Sequence, residues 1–112
     1  MGKVFGVHEV VLHPGVSAAE FERFVLQKFI PGVTQLPGYQ VHLLKGDRGA
    51  AAGHYLLLQD FDSVETRDRY FPTPGQMAAE LCRLIAPLQV VLDEWARLAA
   101  SPAYTDYVEL TE

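Results

Sequence analysis

The residues able to do chemistry in this chain are four histidines, five tyrosines, one cysteine and a handful of amides. His8 stands inside an apolar run, Val4 to Leu12, where an imidazole can serve as a base or anchor a ligand. A buried histidine satisfied by Glu9 or by a backbone carbonyl is the other reading of that position. Tyr70, Tyr55 and Gln59 can supply polar contacts to an otherwise apolar cavity. For Tyr55 and Gln59, packing at an interface between subunits is an equal alternative. His42 and His54 lie on two further strand-like segments and complete a conceivable metal trio with His8. No His-x-His or His-Glu-x-x-His spacing accompanies them, so no metal is expected. Cys82 sits next to Arg83 with no activating base in evidence and reads as a small core residue. The Arg67-Asp68-Arg69 cluster beside Tyr70 either admits an anion or is a solvated helix face.

These side chains need elements to hold them. Val4 to Leu12 is rich in β-branched residues and ends at His13-Pro14-Gly15, which reads as a strand and a turn. Ser17 and Glu20 form a capping box. Phe21, Phe24, Val25, Lys28 and Phe29 then recur at helical spacing, and the helix is expected to stop near Ile30 because Pro31 follows. Tyr39 to Lys45 and His54 to Phe61 read as two strands. The Gly46–Gly53 connection is too short for a helical crossover, which makes them an antiparallel hairpin. A short helix is expected from Ser63 to Tyr70. A longer one begins near Gln76, with Trp95 on its core stripe and a kink or break at Pro87. Tyr104 to Leu110 reads as the closing strand.

The order strand, helix, two strands, helices, strand gives an α+β domain spanning 1–112, with one antiparallel sheet and its helices on one face. The strands are apolar at both parities, as in Val7 and Val11 beside Val10 and Leu12. A sheet with one wet face shows clean alternation, so the second face must also be covered. No segment is left over to do it. A second copy of the chain is the economical cover, giving a homodimer.

Composition excludes some partners. A net charge of −5, with nine Lys and Arg scattered along the chain, argues against nucleic acid. No apolar stretch is long enough to span a bilayer and no signal-peptide pattern opens the sequence, so a cytoplasmic protein with no membrane partner is expected.

A βαββαβ chain of this length with two apolar sheet faces resembles the dimeric α+β-barrel superfamily, in which two ferredoxin-like protomers pack sheet against sheet. Within it, His8-Glu9-Val10-Val11-Leu12 and Phe61-Asp62-Ser63-Val64-Glu65-Thr66 are similar to segments of the stress-responsive A/B-barrel (Dabb) proteins. The superfamily includes monooxygenases of antibiotic biosynthesis, haem-degrading enzymes and muconolactone-isomerase-like proteins. The resemblance to plant polyketide cyclases of the Dabb type implies pocket roles for His8 and Tyr70. Gln76 stands where those enzymes place a catalytic histidine, and an amide has no titratable proton near neutral pH. Two functions follow as expectations. One is a pocket for a small apolar or aromatic molecule, with His8 and Tyr70 catalytic, Tyr55, Gln59 and Gln76 contacting the ligand, and cyclase- or monooxygenase-like chemistry without a cofactor. The other is a non-catalytic, stress-related homodimeric binding or assembly module.

Overall fold

The computed structural model describes residues 2–111. Strand β1 (Val4–Leu12) leads through the Pro14-Gly15 turn to helix α1 (Ala18–Phe24). The Ser17 hydroxyl accepts the Glu20 amide at 3.1 Å. The reciprocal half of the expected box is diverted, because the Glu20 carboxylate accepts from Arg97 at 3.5 Å instead.

The first helix does not stop at Ile30. It widens into a π-helical turn, Val25–Phe29, in which the Ile30 amide reaches back to the Val25 carbonyl, and continues as α2 (Ile30–Val33). Pro31 follows directly on that wide turn. The wide turn absorbs the proline that was expected to end the helix.

Strands β2 (Tyr39–Lys45) and β3 (Tyr55–Phe61) form the expected antiparallel hairpin, with Leu43 opposite Leu57. Its loop closes tightly on Gly46, where a Cβ would lie 2.0 Å from the Ala51 carbonyl oxygen. Helix α3 (Val64–Tyr70) starts at Ser63, whose hydroxyl accepts the Thr66 amide at 3.1 Å. Helix α4 (Ala79–Ile85) begins three residues later than the sequence suggests. A 3₁₀ turn, Ala86–Leu88, carries Pro87 and joins α4 to α5 (Gln89–Leu98). The Leu81 side chain goes into the core and the neighbouring Cys82 is exposed, the reverse of the core placement expected for the thiol. Adjacent helical residues point about 100° apart, so the two cannot share a face.

The sheet order is β2-β3-β1, and the fourth place beside β1 is shared end to end by two strands. The two-residue β4 (Ala99–Ala100) pairs with Val11 and Leu12, and β5 (Tyr104–Val108) pairs with Val4 to His8. The closing strand therefore ends two residues short of the expected Leu110.

Alternation along the strands decides the faces. Val4, Gly6 and Val10 of β1, Tyr39 and Val41 of β2, and Tyr55, Leu57 and Phe61 of β3 are buried beneath the helices. Phe21 joins Tyr55 to Trp95 there, with ring centroids 5.1 and 5.5 Å apart, and Trp95 packs against Phe29 at 4.8 Å. Phe5, Val7, Leu56 and Leu58 alternate onto the opposite face. Among the described residues no helix is long and apolar enough to cross a membrane.

Candidate functional site

The helix-covered face of the sheet carries one row of polar side chains across all its principal strands. Gly6 lies opposite Gln59, and Gln59 opposite Val41, so Tyr39, Gln59 and His8 are diagonal neighbours on three adjacent strands. Diagonal neighbours come within reach of each other when their side chains are long. The Gln59 amide nitrogen donates to the Tyr39 hydroxyl at 2.8 Å, and the His8 Nε2 lies 2.7 Å from the Gln59 Oε1. On the fourth strand Tyr104 is directly opposite His8, and the two rings stack at 5.3 Å with an interplanar angle of 16°.

Gly6 makes room for this row. A Cβ at position 6 would meet the Gln59 Oε1 at 2.8 Å and an Asp106 carboxylate oxygen at 3.0 Å. A side chain there would push apart the groups that flank it.

Above His8 the sheet and α3 leave a cavity of about 250 Å³. Its floor is His8, Gln59, Phe61, Tyr104 and Asp106, and its wall is Arg67, Asp68 and Phe71. The exposed segment Pro72–Gly75 forms the rim. Three contacts hold that rim: the Ala78 amide returns to the Tyr70 carbonyl at 2.8 Å, the Gln76 amide donates to the Thr73 carbonyl at 3.1 Å, and the Thr73 hydroxyl donates to the Gln76 Oε1 at 2.9 Å. Arg67 reaches Asp106 at 2.7 Å and Asp68 at 2.8 Å, which ties α3 to β5 across the cavity wall.

That pairing sets the electrostatics. One guanidinium against two carboxylates leaves the lining with a net negative charge when His8 is neutral. That excess disfavours an anion. Arg69, the other cation of the cluster, turns away and pairs with Glu80 on α4. The structure thus places neither arginine free to receive an anionic ligand.

The five residues singled out from sequence are distributed over four places. His8 and Gln59 share the cavity and a hydrogen bond. Tyr70 is buried outside it, and its hydroxyl donates to the Pro37 carbonyl at 2.7 Å. Burial holds that phenol's pKa above the ordinary tyrosine value. The adjacent Phe71 is the ring that reaches the cavity. Tyr55 lies at the far end of β3, where its hydroxyl donates to Glu22 and Lys45 stands 5.5 Å from its ring. Its pKa is raised, first by burial and then by that carboxylate. Gln76 braces the rim from behind through Thr73 and does not line the cavity. His42 falls on the opposite sheet face from His8, and His54 is exposed before β3 begins, so the three imidazoles do not converge.

Gly6, Phe71, Tyr104, Asp106 and Tyr39 belong to the site without having been singled out. A glycine inside a strand was a usable signal, since it often marks a close approach to the backbone. Asp106 and Tyr104 share one parity of β5, and only the register against β1 shows that this parity lies over the cavity.

The four principal strands in the order β2-β3-β1-β5, with helices on one face, make this chain a ferredoxin-like α+β protein. It is similar to SnoaB, a cofactor-independent oxygenase from Streptomyces nogalater, with a TM-score of 0.59 and 18% identity over 100% of this chain and 97% of that one. A dimeric protein of unknown function with a ferredoxin-like fold from Bacteroides fragilis aligns with a TM-score of 0.48 and 16% identity, over 97% of this chain and 98% of that one. No protein-family model matches the sequence, and no curated protein matches it.

Proposed function

We propose that this chain binds a small, neutral aromatic molecule in the cavity beside His8 and works as a homodimer. The observation that carries the ligand reading is the unfilled space over a row of His8, Gln59 and Tyr104. Cavities of about 150 Å³ take a benzene ring. A volume of about 250 Å³ therefore suits a ligand larger than one ring. Phe61, Phe71 and Tyr104 offer it apolar faces, and the excess of carboxylate over guanidinium selects against acids.

His8 supplies the chemistry as a proton acceptor for a weakly acidic O–H or C–H of the ligand. The resulting anion can pass one electron to dioxygen. Recombination of the radical pair and return of the proton from His8 give a hydroperoxide, with the balance RH + O₂ = ROOH. The fold shared with a cofactor-independent oxygenase supports this reading over one that needs a bound cofactor. One observation favours binding without turnover. The Tyr70 hydroxyl is spent on Pro37 and Gln76 lies behind the rim, so neither supplies a second acid to the cavity.

The outer sheet face supports the dimer. Val11, Leu44 and Tyr107 are 56%, 44% and 56% exposed on it, around Val7 and Leu58, which pair directly. A second copy laid on this face covers what the chain itself leaves bare.

Calorimetric titration with neutral two- and three-ring phenols, and with the matching carboxylates, tests the ligand reading. Neutral compounds should bind, the carboxylates at least tenfold more weakly, and His8→Phe should abolish discrimination between phenols and their methyl ethers. Absence of binding at millimolar concentration, or binding indifferent to His8→Phe, overturns it. Oxygen consumption with a bound phenol then separates an oxygenase from a binding module.

A further inference from the structure

We infer that Gln59, anchored by Tyr39, is a positioning residue that fixes the tautomer of His8 and leaves Nδ1 as the nitrogen presented to the ligand. This rests on the reading of the cavity as a ligand site and deepens it. Burial holds the Tyr39 hydroxyl in its protonated form, with a pKa displaced upward from the usual phenol range. The Gln59 amide nitrogen donates to that hydroxyl at 2.8 Å, which turns the amide oxygen toward His8. A carbonyl oxygen only accepts, so the His8 Nε2 at 2.7 Å must carry the hydrogen. A neutral imidazole has one N–H, and Nδ1 therefore keeps its lone pair. Among the described residues Nδ1 has no hydrogen-bond partner.

Three features keep this arrangement from drifting. Gly6 leaves the space the Gln59 Oε1 occupies, since a Cβ there would approach it to 2.8 Å. Tyr39 is packed on Phe61 with ring centroids 5.2 Å apart, so the anchor itself is fixed. Stacking on Tyr104 at 5.3 Å sets the plane of the imidazole. Position, plane and tautomer of the base are thus determined before a ligand arrives.

The consequence is a base that needs no rearrangement. The ligand's O–H or C–H bond breaks, its electron pair stays on the ligand, and the new N–H bond forms at Nδ1. The imidazolium keeps its Nε2–H to Gln59, and that hydrogen bond strengthens as the ring becomes charged. A neutral amide in this place orients the ring without holding a fixed counter-charge against it.

Long-range proton–nitrogen NMR of the histidine rings tests this directly, because bare and protonated ring nitrogens have widely separated shifts. In the full chain, at a pH where His8 is neutral, the wild type should show the Nε2–H tautomer alone. Tyr39→Phe removes the amide's anchor and Gln59→Leu removes the acceptor, so an admixture of the Nδ1–H tautomer should appear in both. A bound phenol should shift Nδ1 much more than Nε2. An Nδ1–H tautomer in the wild type would mean that the chain of bonds runs the other way, with Tyr39 as donor, and overturns the inference. So does a wild-type pattern retained in Tyr39→Phe, the milder variant, which decides the matter if Gln59→Leu does not fold. The tautomer is read without any ligand, so a fixed tautomer in a protein that binds nothing would sink the ligand reading alone.

Discussion

The Tyr70 hydroxyl donates to the Pro37 carbonyl at 2.7 Å, across the junction between α3 and the turn that leads into β2. The phenol that a cyclase-like site would turn toward its substrate is here a strut between two parts of the scaffold. Tyr70→Phe should therefore lower stability by about 1–2 kcal/mol, the usual cost of a lost buried hydrogen bond with its partner left behind. Affinity for a phenolic ligand should stay within about twofold, a shift below roughly 0.5 kcal/mol. Urea unfolding reads the first and calorimetric titration the second. A large loss of affinity in a normally stable variant would return Tyr70 to the ligand.

Gly6→Ala should lower stability and affinity together. The added methyl group would collide with the Gln59 Oε1 at 2.8 Å and crowd the Asp106 carboxylate at 3.0 Å. Relief by rotating the Gln59 side chain breaks its bond to His8. The expected result is a cost of about 1–3 kcal/mol from overpacking and at least a tenfold loss of ligand affinity. Thermal unfolding and titration of one sample measure both. An unchanged affinity would show that the Gln59–His8 contact is dispensable.

The fold was legible because its signals are local and agree with one another. The β-branched run of β1, the Ser17 and Ser63 caps and the glycine-bounded hairpin each point to one element. Pro31 misled because the π-helical turn before it is a tertiary accommodation that leaves no mark in residue spacing. The site was half legible for a different reason. A histidine in a strand announces itself, and so does a polar Gln59 among leucines. Whether two such residues meet depends on register, and a slip of one residue reverses the face of every side chain in a strand. Tyr70 and Tyr55 share the composition of pocket residues. Only the three-dimensional structure shows that their hydroxyls are committed to Pro37 and Glu22.

Glu22 gives a pH dependence of known sign. Its carboxyl pKa is lowered from the ordinary 4.5, first by the hydrogen bond from Tyr55 and then by the one from Lys45. A depressed carboxyl pKa stabilises the folded state above the unfolded value, and that contribution is lost as pH falls through the folded one. Melting temperature should therefore drop as pH decreases below 4.5, and the drop should be shallower in Glu22→Gln. Tyr55 acts in the opposite direction at the alkaline end. Its raised pKa contributes stability that is present below the ordinary 10.0 and fades as pH rises past it. Thermal melts across both limbs check the pair, and Tyr55→Phe should flatten both.

Leu58 offers the test of assembly that disturbs the cavity least. It lies directly opposite Val7 on one side and His42 on the other, at the parity that faces away from the helices. An aspartate there remains in water if the chain is a monomer, and the fold should tolerate it. In a symmetric pair the same substitution buries carboxylates in an apolar seam, a penalty of several kcal/mol per ion. Leu58→Asp should weaken self-association by at least about 100-fold, equivalent to roughly 2.7 kcal/mol, while circular dichroism stays native. Light scattering across a dilution series separates the outcomes. A wild-type monomer would leave Val7, Leu58 and Tyr107 exposed to water and would undo the argument from the second apolar face. A Leu58→Asp dimer would place the contact elsewhere, with the unpaired edge of β2 as the next surface to probe.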